Sequence, residues 1–267
     1  MKFHDLHIHT HLSLCSEDPG ATVANYLCRA RELGLEVLGF TDHMWDVANV
    51  PLPSPNPWYR QQDFARAMSI RREIPRDSGI KVLVGVETEF AQGVVGISPQ
   101  AASELDFVLV PHSHIHMLDF VRERSVVSPR DVAAHMLKTF EDLVCRDIAT
   151  IVAHPFFPLS MHTGENLVQI YRYLPDGALE HAFGLAQEHR AAVEVNLSIF
   201  EGNIQAPLYQ DTYLRMLSIA KRMGCKFSIG SDSHSIQAFD ETYRAGMFED
   251  AVAILGLTDD NMVQLAL

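Results

Sequence analysis

The sequence predicts an α/β fold on a parallel sheet, from three observations. Short apolar runs alternate with amphipathic segments from one end of the chain to the other, the pattern of repeated βα units. The 267 residues are 47% hydrophobic and 21% charged, enough for a substantial core. No low-complexity or linker segment divides them, so residues 1–267 read as a single domain.

The apolar runs place strands at residues 3–8, 37–41, 81–90, 107–110, 150–153, 192–197 and 226–231. That makes about seven repeats. The clearest helices span residues 22–33 and 207–223; each stops at a glycine, Gly34 or Gly224, that can take the left-handed conformation after a helix C-terminus. Residues 50–59 hold Pro51, Pro53, Pro55 and Pro57, which suit neither a helix interior nor a central strand, so a surface loop is expected. With Trp45 and Trp58 at its ends it reads equally as a lid or as a stiff connector anchored by a tryptophan. Periodicity does not separate a closed barrel from an open doubly wound sheet. In both, reactive groups collect at the C-terminal ends of the strands.

Those ends carry the chemistry. The first strand finishes in Asp5-Leu6-His7-Ile8-His9-Thr10, and residues two apart in a strand share a face, so His7 and His9 can hold one ion together. The second finishes in Thr41-Asp42-His43, the third in Glu87-Thr88-Glu89, the fourth in Pro111-His112-Ser113-His114-Ile115-His116, the fifth in Ala153-His154-Pro155 and the seventh in Gly230-Ser231-Asp232-Ser233-His234. Ten of the fourteen histidines lie at or next to predicted strands; His135, His162, His181 and His189 fall in helical or loop segments and are read as solvated. His4 faces away from His7 and His9 and is assigned a structural role, whereas His11 is ambiguous.

These segments resemble the PHP (polymerase and histidinol phosphatase) superfamily of metal-dependent phosphoesterases. The shared motifs are Asp-x-His-x-His-Thr from Asp5, Thr-Asp-His at Thr41, Gly-x-Glu at Gly85, Ala-His-Pro at Ala153 and Gly-Ser-Asp-x-His at Gly230, in the family's order. The first loop, with His11, Ser13 and Glu17, is most similar to the histidinol-phosphatase branch. The resemblance implies a distorted (β/α)7 barrel and two to three divalent ions of zinc, iron or manganese. It also implies a ligand scheme, carried over position by position. One ion falls on His7, His9, Glu87 and Asp232, with Glu87 bridging to a second ion on His154 and either His114 or His112, His114 being preferred. A third falls on His43 and His234, completed by Cys15, Glu17 or His11.

Composition bounds the partners. The formal charge of −13 disfavours duplex nucleic acid, no apolar run approaches the roughly 20 residues of a membrane span, and the N-terminus lacks a signal-peptide core. A cytoplasmic protein is expected, with Cys15, Cys28, Cys145 and Cys225 as reduced thiols. Bound cations would make the site locally positive despite the acidic chain. The resulting expectation is hydrolysis of a small phosphomonoester, with histidinol phosphate foremost. Asp232 and His234 would steer protons as catalytic groups. Arg122 or Arg124, ahead of Arg60 and Arg244, would fork onto phosphate. Glu194 and Asn196 are placed behind the ligands. The competing readings are a nuclease or phosphodiesterase and a non-catalytic metal-binding regulatory domain. Oligomeric state is not encoded legibly.

Overall fold

In the computed structural model, which describes residues 2–159 and 164–265, strands and helices alternate as expected. Among the described residues nine strands occur: β1 His4–Ile8, β2 Val37–Phe40, β3 Lys81–Glu87, β4 Phe90–Ala91, β5 Val94–Val95, β6 Phe107–Pro111, β7 Ile151–Ala153, β8 Ala192–Asn196 and β9 Phe227–Gly230. Seven form one sheet in the order β1-β2-β3-β6-β7-β8-β9, with every neighbouring pair parallel. Its two ends meet. The His7 carbonyl accepts from Asp232 N–H at 2.8 Å and the Ser233 carbonyl from His9 N–H at 3.0 Å, so a distorted seven-stranded barrel closes at the C-terminal ends of β1 and β9.

Alternation along each strand sorts side chains between two cores. On β3, Val84 and Val86 pack outward against the helices, while Leu83 joins Leu6, Phe107, Leu109, Ile151 and Ala153 inside the barrel. The Phe107 ring needs room there. A Cβ at Gly85 would lie 2.7 Å from it and one at Gly39 2.8 Å, so glycine on two strands admits the ring. This apolar plug fills the barrel below Glu87, the next inward position on β3.

Two predicted elements are divided. The run 81–90 ends as a barrel strand at Glu87 and continues into a β4–β5 hairpin, whose central residues Gln92 and Gly93 have φ of 51° and 83°. Such a two-residue turn matches the twist of its flanking strands. The helix expected over 207–223 becomes Pro207–Gln210 and Tyr213–Arg222, because Thr212 has φ −117° and ψ −99°. The helix Val23–Leu33 is capped by Thr22 and stops at Gly34 with φ 81°, as the sequence indicates. Among the described residues no helix is long and apolar enough to cross a membrane.

Candidate metal centre

The site begins with a clamp between the first and last strands. Asp5 accepts hydrogen bonds from the backbone N–H of His7 and of Ser231, both at 3.0 Å. Its burial pushes the carboxyl up to about 6, against the pull of these bonds. The register of β1 shifts between Asp5 and Ile8, an irregularity that re-aims the side chains beyond it. Gly230 lies opposite: a Cβ there would stand 2.4 Å from His7 Cβ and 2.6 Å from Glu194 Oε1. Both side chains therefore depend on its absence.

Glu87, 1% exposed, occupies the middle. Its Oε2 lies 3.3 Å from His7 Nε2, 3.2 Å from His9 Nε2 and 3.2 Å from His43 Nδ1, while Oε1 lies 3.3 Å from His154 Nε2 and 3.9 Å from His114 Nε2. Asp232, at a left-handed φ of 54°, brings Oδ1 to 3.3 Å from both His7 Nε2 and His9 Nε2. Backbone strain of this kind is held in place by its surroundings. The His234 ring stacks on that of His9 at 4.2 Å.

The tautomers follow from the partners of the other ring nitrogens. Nδ1 of His7 faces Glu194 Oε1 at 2.7 Å, Nδ1 of His114 faces Glu89, and Nδ1 of His234 faces the Asp232 carbonyl at 2.9 Å. Each partner is an acceptor, so each Nδ1 donates. Ser13 Oγ donates to Asp42 and Ser113 Oγ donates to the His154 carbonyl; each hydroxyl is left to accept, from His9 Nδ1 at 3.2 Å and from His154 Nδ1 at 3.1 Å. Five imidazoles thereby turn an Nε2 lone pair inward, the arrangement in which outer partners orient metal-ligating histidines. His7 Nε2 and His9 Nε2 meet at 3.0 Å. Two lone pairs at that distance repel unless a cation or a proton lies between them. His43 presents Nδ1 instead, buried and without a hydrogen-bond partner.

Electrostatics agree with this geometry. Burial opposes charge on Glu87 and Asp232, yet the surrounding imidazoles hold both carboxyls well below the usual range, so both are anionic at neutral pH. Burial likewise opposes a proton on His7, but Glu194, Asp232 and Glu87 draw its pKa well above the ordinary imidazole value. A field that attracts a proton there attracts a metal cation. Among the described residues three ligand groups result, His7–His9–Asp232, Glu87–His114–His154 and His9–His43–His234, the donor atoms within each lying within 4.8 Å of one another. Mixed imidazole and carboxylate donors suit zinc, iron or manganese.

The PHP domain family profile matches residues 5–254. The chain belongs to the PHP family. The probable phosphatase NT01EI_1577 of Edwardsiella ictaluri is 25% identical over 253 residues, spanning 94% of this chain and 84% of that protein. The probable phosphatase YcdX of Escherichia coli K12 is 22% identical over 257 residues, spanning 96% and 85%. Among solved structures, the histidinol phosphate phosphatase HisK of Lactococcus lactis, determined with zinc, L-histidinol and phosphate, superposes with a TM-score of 0.59 at 19% identity and covers 94% of each chain.

Within this PHP domain several expected positions lie elsewhere. His112 is outside the cluster: strand alternation stops at Pro111, and His112 turns between Phe140 and Phe156, its Nε2 accepting from Phe156 N–H at 2.9 Å. Arg122 is consumed by the carbonyls of Ile115 and Val126, and Arg124 by Asp119, so neither faces the cavity over the cluster. Arg244 is bound to Asp240, and Arg60 does not line that cavity. Glu17 is exposed and belongs to none of the three groups, while His11 pairs with Glu73 at 3.3 Å. Cys15 is surface-exposed at the cavity and joins no group; partial desolvation by the surrounding loop, with Glu87 and Asp232 nearby, pushes its thiol up. His162 lies outside the described residues.

Glu194 and Asn196 stand behind the cluster, with Glu194 on His7 and on His154 N–H, and Asn196 donating to Asp232 Oδ2 at 3.2 Å. Sequence reasoning assigned no role to Glu89, which joins His114 to the Tyr59 hydroxyl, although its place two residues beyond Glu87 was a visible signal. Nor did it single out Asp42, which accepts from Thr10 N–H, Thr10 Oγ1 and Ser13 Oγ, each at 2.7 Å, and shapes the first loop. The proline-rich loop lies at the site: Ser54, Pro55, Asn56, Pro57 and Trp58 line the cavity, while Trp45 is fully buried and Tyr59 is tied to Glu89.

Proposed function

We propose that the protein is a metal-dependent phosphatase that hydrolyses a small phosphomonoester on a cluster of two to three divalent ions, with histidinol phosphate the first substrate to test. The observation that carries this reading is the meeting of inward Nε2 lone pairs around two anionic carboxylates, above all His7 and His9 at 3.0 Å beside Glu87 and Asp232. That arrangement calls for positive charge in its midst, supplied either by a metal ion or by the proton that the surrounding carboxylates draw to His7. His7, His9 and Asp232 would hold one ion, His114 and His154 a second, and His43 and His234 a third, with Glu87 between the first two. Bound there, such ions supply a hydroxide at neutral pH and neutralise phosphate charge.

The protein's own groups do the rest. Asp232 and His234 line the cavity; Asp232 can hold or pass a proton at its carboxylate, whereas His234 can do so at Nε2 only when that atom holds no ion. Glu194, Glu89, Ser13 and Ser113 fix ring orientation through the bonds given above. Among the described residues no arginine or lysine lines the cavity, so recognition of the phosphate falls to the cluster. A monoester dianion offers three unesterified oxygens to several cations; a diester offers two and a single charge. The relatives named above, which carry phosphatase names, and the neighbour solved with zinc and phosphate support the same assignment.

The test is a specificity comparison on metal-loaded protein. An aryl phosphate is expected to have a higher kcat/KM than the matching bis-aryl diester, and histidinol phosphate is expected to be turned over. Faster cleavage of the diester would favour a phosphodiesterase, and no turnover of any ester with any metal would favour a binding domain.

A further inference from the structure

Two carboxylates stand behind imidazoles of the cluster, and they are held in different ways. Glu194, behind His7, spends its second oxygen on the barrel: Oε2 accepts from His154 N–H at 2.6 Å and from Asn196 Nδ2 at 3.2 Å. Glu89, behind His114, has no such anchor. Its Oε2 is buried without a hydrogen-bond partner among the described residues, and Oε1 takes both of its bonds, from His114 Nδ1 and from the Tyr59 hydroxyl at 2.8 Å. A carboxylate held only by the ring it serves would turn with that ring. Among the described residues, the Tyr59 hydroxyl is what fixes Glu89 from outside.

Tyr59 is a fully buried member of the proline-rich loop. Asn56 Oδ1 accepts from its N–H at 3.2 Å and from that of Trp58 at 3.1 Å, which closes the single turn Pro57–Arg60 around it. Burial, with Glu89 beside it, raises the phenol well above its ordinary value, so the hydroxyl keeps its proton and donates. The Tyr59 ring lies edge-on to Trp58 at 4.7 Å and stacks on Phe120 at 5.7 Å. Trp58 and Phe120 border the cavity from two separate loops. One side chain thus packs against both borders of the cavity and bonds to the partner of a cluster histidine.

Partners of this kind orient a metal-ligating imidazole and raise its basicity, and their loss typically costs 10–100-fold in metal affinity. We propose that Tyr59 is the positioning residue for an ion on Glu87, His114 and His154, and that this ion, unlike one on His7, His9 and Asp232, orders the loop 54–60 at the cavity. The proposal rests on the metal-cluster reading above. Linkage makes the effect reciprocal: a loop that favours the ion is favoured by it in equal measure. The cavity border and the second ion would then assemble together.

The test is zinc titration of the metal-free protein against a competing chelator, which resolves the ions by affinity. Tyr59→Phe keeps the ring and removes the hydroxyl; it should weaken one equivalent at least ~tenfold and leave the others within about threefold. Glu89→Gln, which keeps an acceptor and removes the charge, should weaken the same equivalent. His114→Ala should abolish that equivalent, and adding Tyr59→Phe to it should cost nothing more. Tyr171→Phe, which removes a buried hydroxyl that has no partner, should change none. Amide hydrogen exchange over residues 54–60 should slow at least ~tenfold on zinc loading of the unmodified protein, and should not slow in Tyr59→Phe. Unchanged zinc affinities in Tyr59→Phe, or an equal loss of every equivalent, would overturn the assignment. A lower melting temperature of metal-free Tyr59→Phe with unchanged zinc affinity would also overturn it, leaving Tyr59 a packing residue. An unmodified protein that binds no zinc would overturn the cluster reading itself, and the proposal with it.

Discussion

Glu87 is where the imidazoles converge: one oxygen faces His7, His9 and His43, the other His114 and His154. Glu87→Gln keeps the size and removes the charge, so metal content should fall in more than one ligand group at once. Turnover should drop at least ~100-fold, since even outer partners of metal ligands are worth 10–100-fold. His112→Ala provides the contrast. It should leave metal content unchanged but destabilise the fold by about 2 kcal/mol or more, because Phe156 N–H loses its acceptor and a cavity opens beside Phe140. Elemental analysis and denaturant unfolding of the two variants check both halves; metal loss in His112→Ala would place that residue back among the ligands. His7 and His9 were legible in the sequence because strand alternation puts them on one face. His112 was not, because alternation ends one residue earlier. The role of Arg122 was hidden for a different reason: its partners are backbone carbonyls of Ile115 and Val126, whose positions depend on loop geometry rather than residue type.

At the scale of elements, the strand ends set the ligand positions, and Gly230 on β9 shows how tightly. Gly230→Ala would bring a Cβ to 2.4 Å from His7 Cβ, forcing β1 and β9 apart where they close the barrel. The variant should lose both thermal stability and metal affinity. Gly177→Ala, in the helix Asp176–Glu188 with nothing within 4 Å of the added Cβ, should be neutral or stabilising by up to about 1 kcal/mol. Parallel thermal melts with metal titration decide it; an unchanged Gly230→Ala would mean that His7 has freedom the packing denies. The seven barrel strands were readable as apolar runs bounded by turns. The hairpin was not, since Phe90 follows the end of β3 after only Thr88 and Glu89, and Gln92 gives little warning of a positive φ. The break at Thr212 also escaped, because its hydroxyl bonds to the Leu208 carbonyl at 2.6 Å within a pattern otherwise periodic for a helix.

For the whole molecule, barrel closure lay beyond periodicity: it is written in the bonds from Asp232 N–H to His7 and from His9 N–H to Ser233, pairs more than two hundred residues apart. The PHP motifs supplied what pattern could not, since their order along the chain carried a fold with it. Closure also concentrates buried charge, and that ties stability to metal. Chelation should lower the melting temperature by roughly 5 °C or more, given about 2.7 kcal/mol of linkage at a hundredfold excess over Kd. An unchanged melting curve would separate the cluster from the fold. The most direct measurement is metal stoichiometry: after saturation with zinc or manganese and removal of free ions, elemental analysis of the purified chain should give two to three equivalents per protein. Fewer than about one would contradict the multinuclear centre on which the account rests.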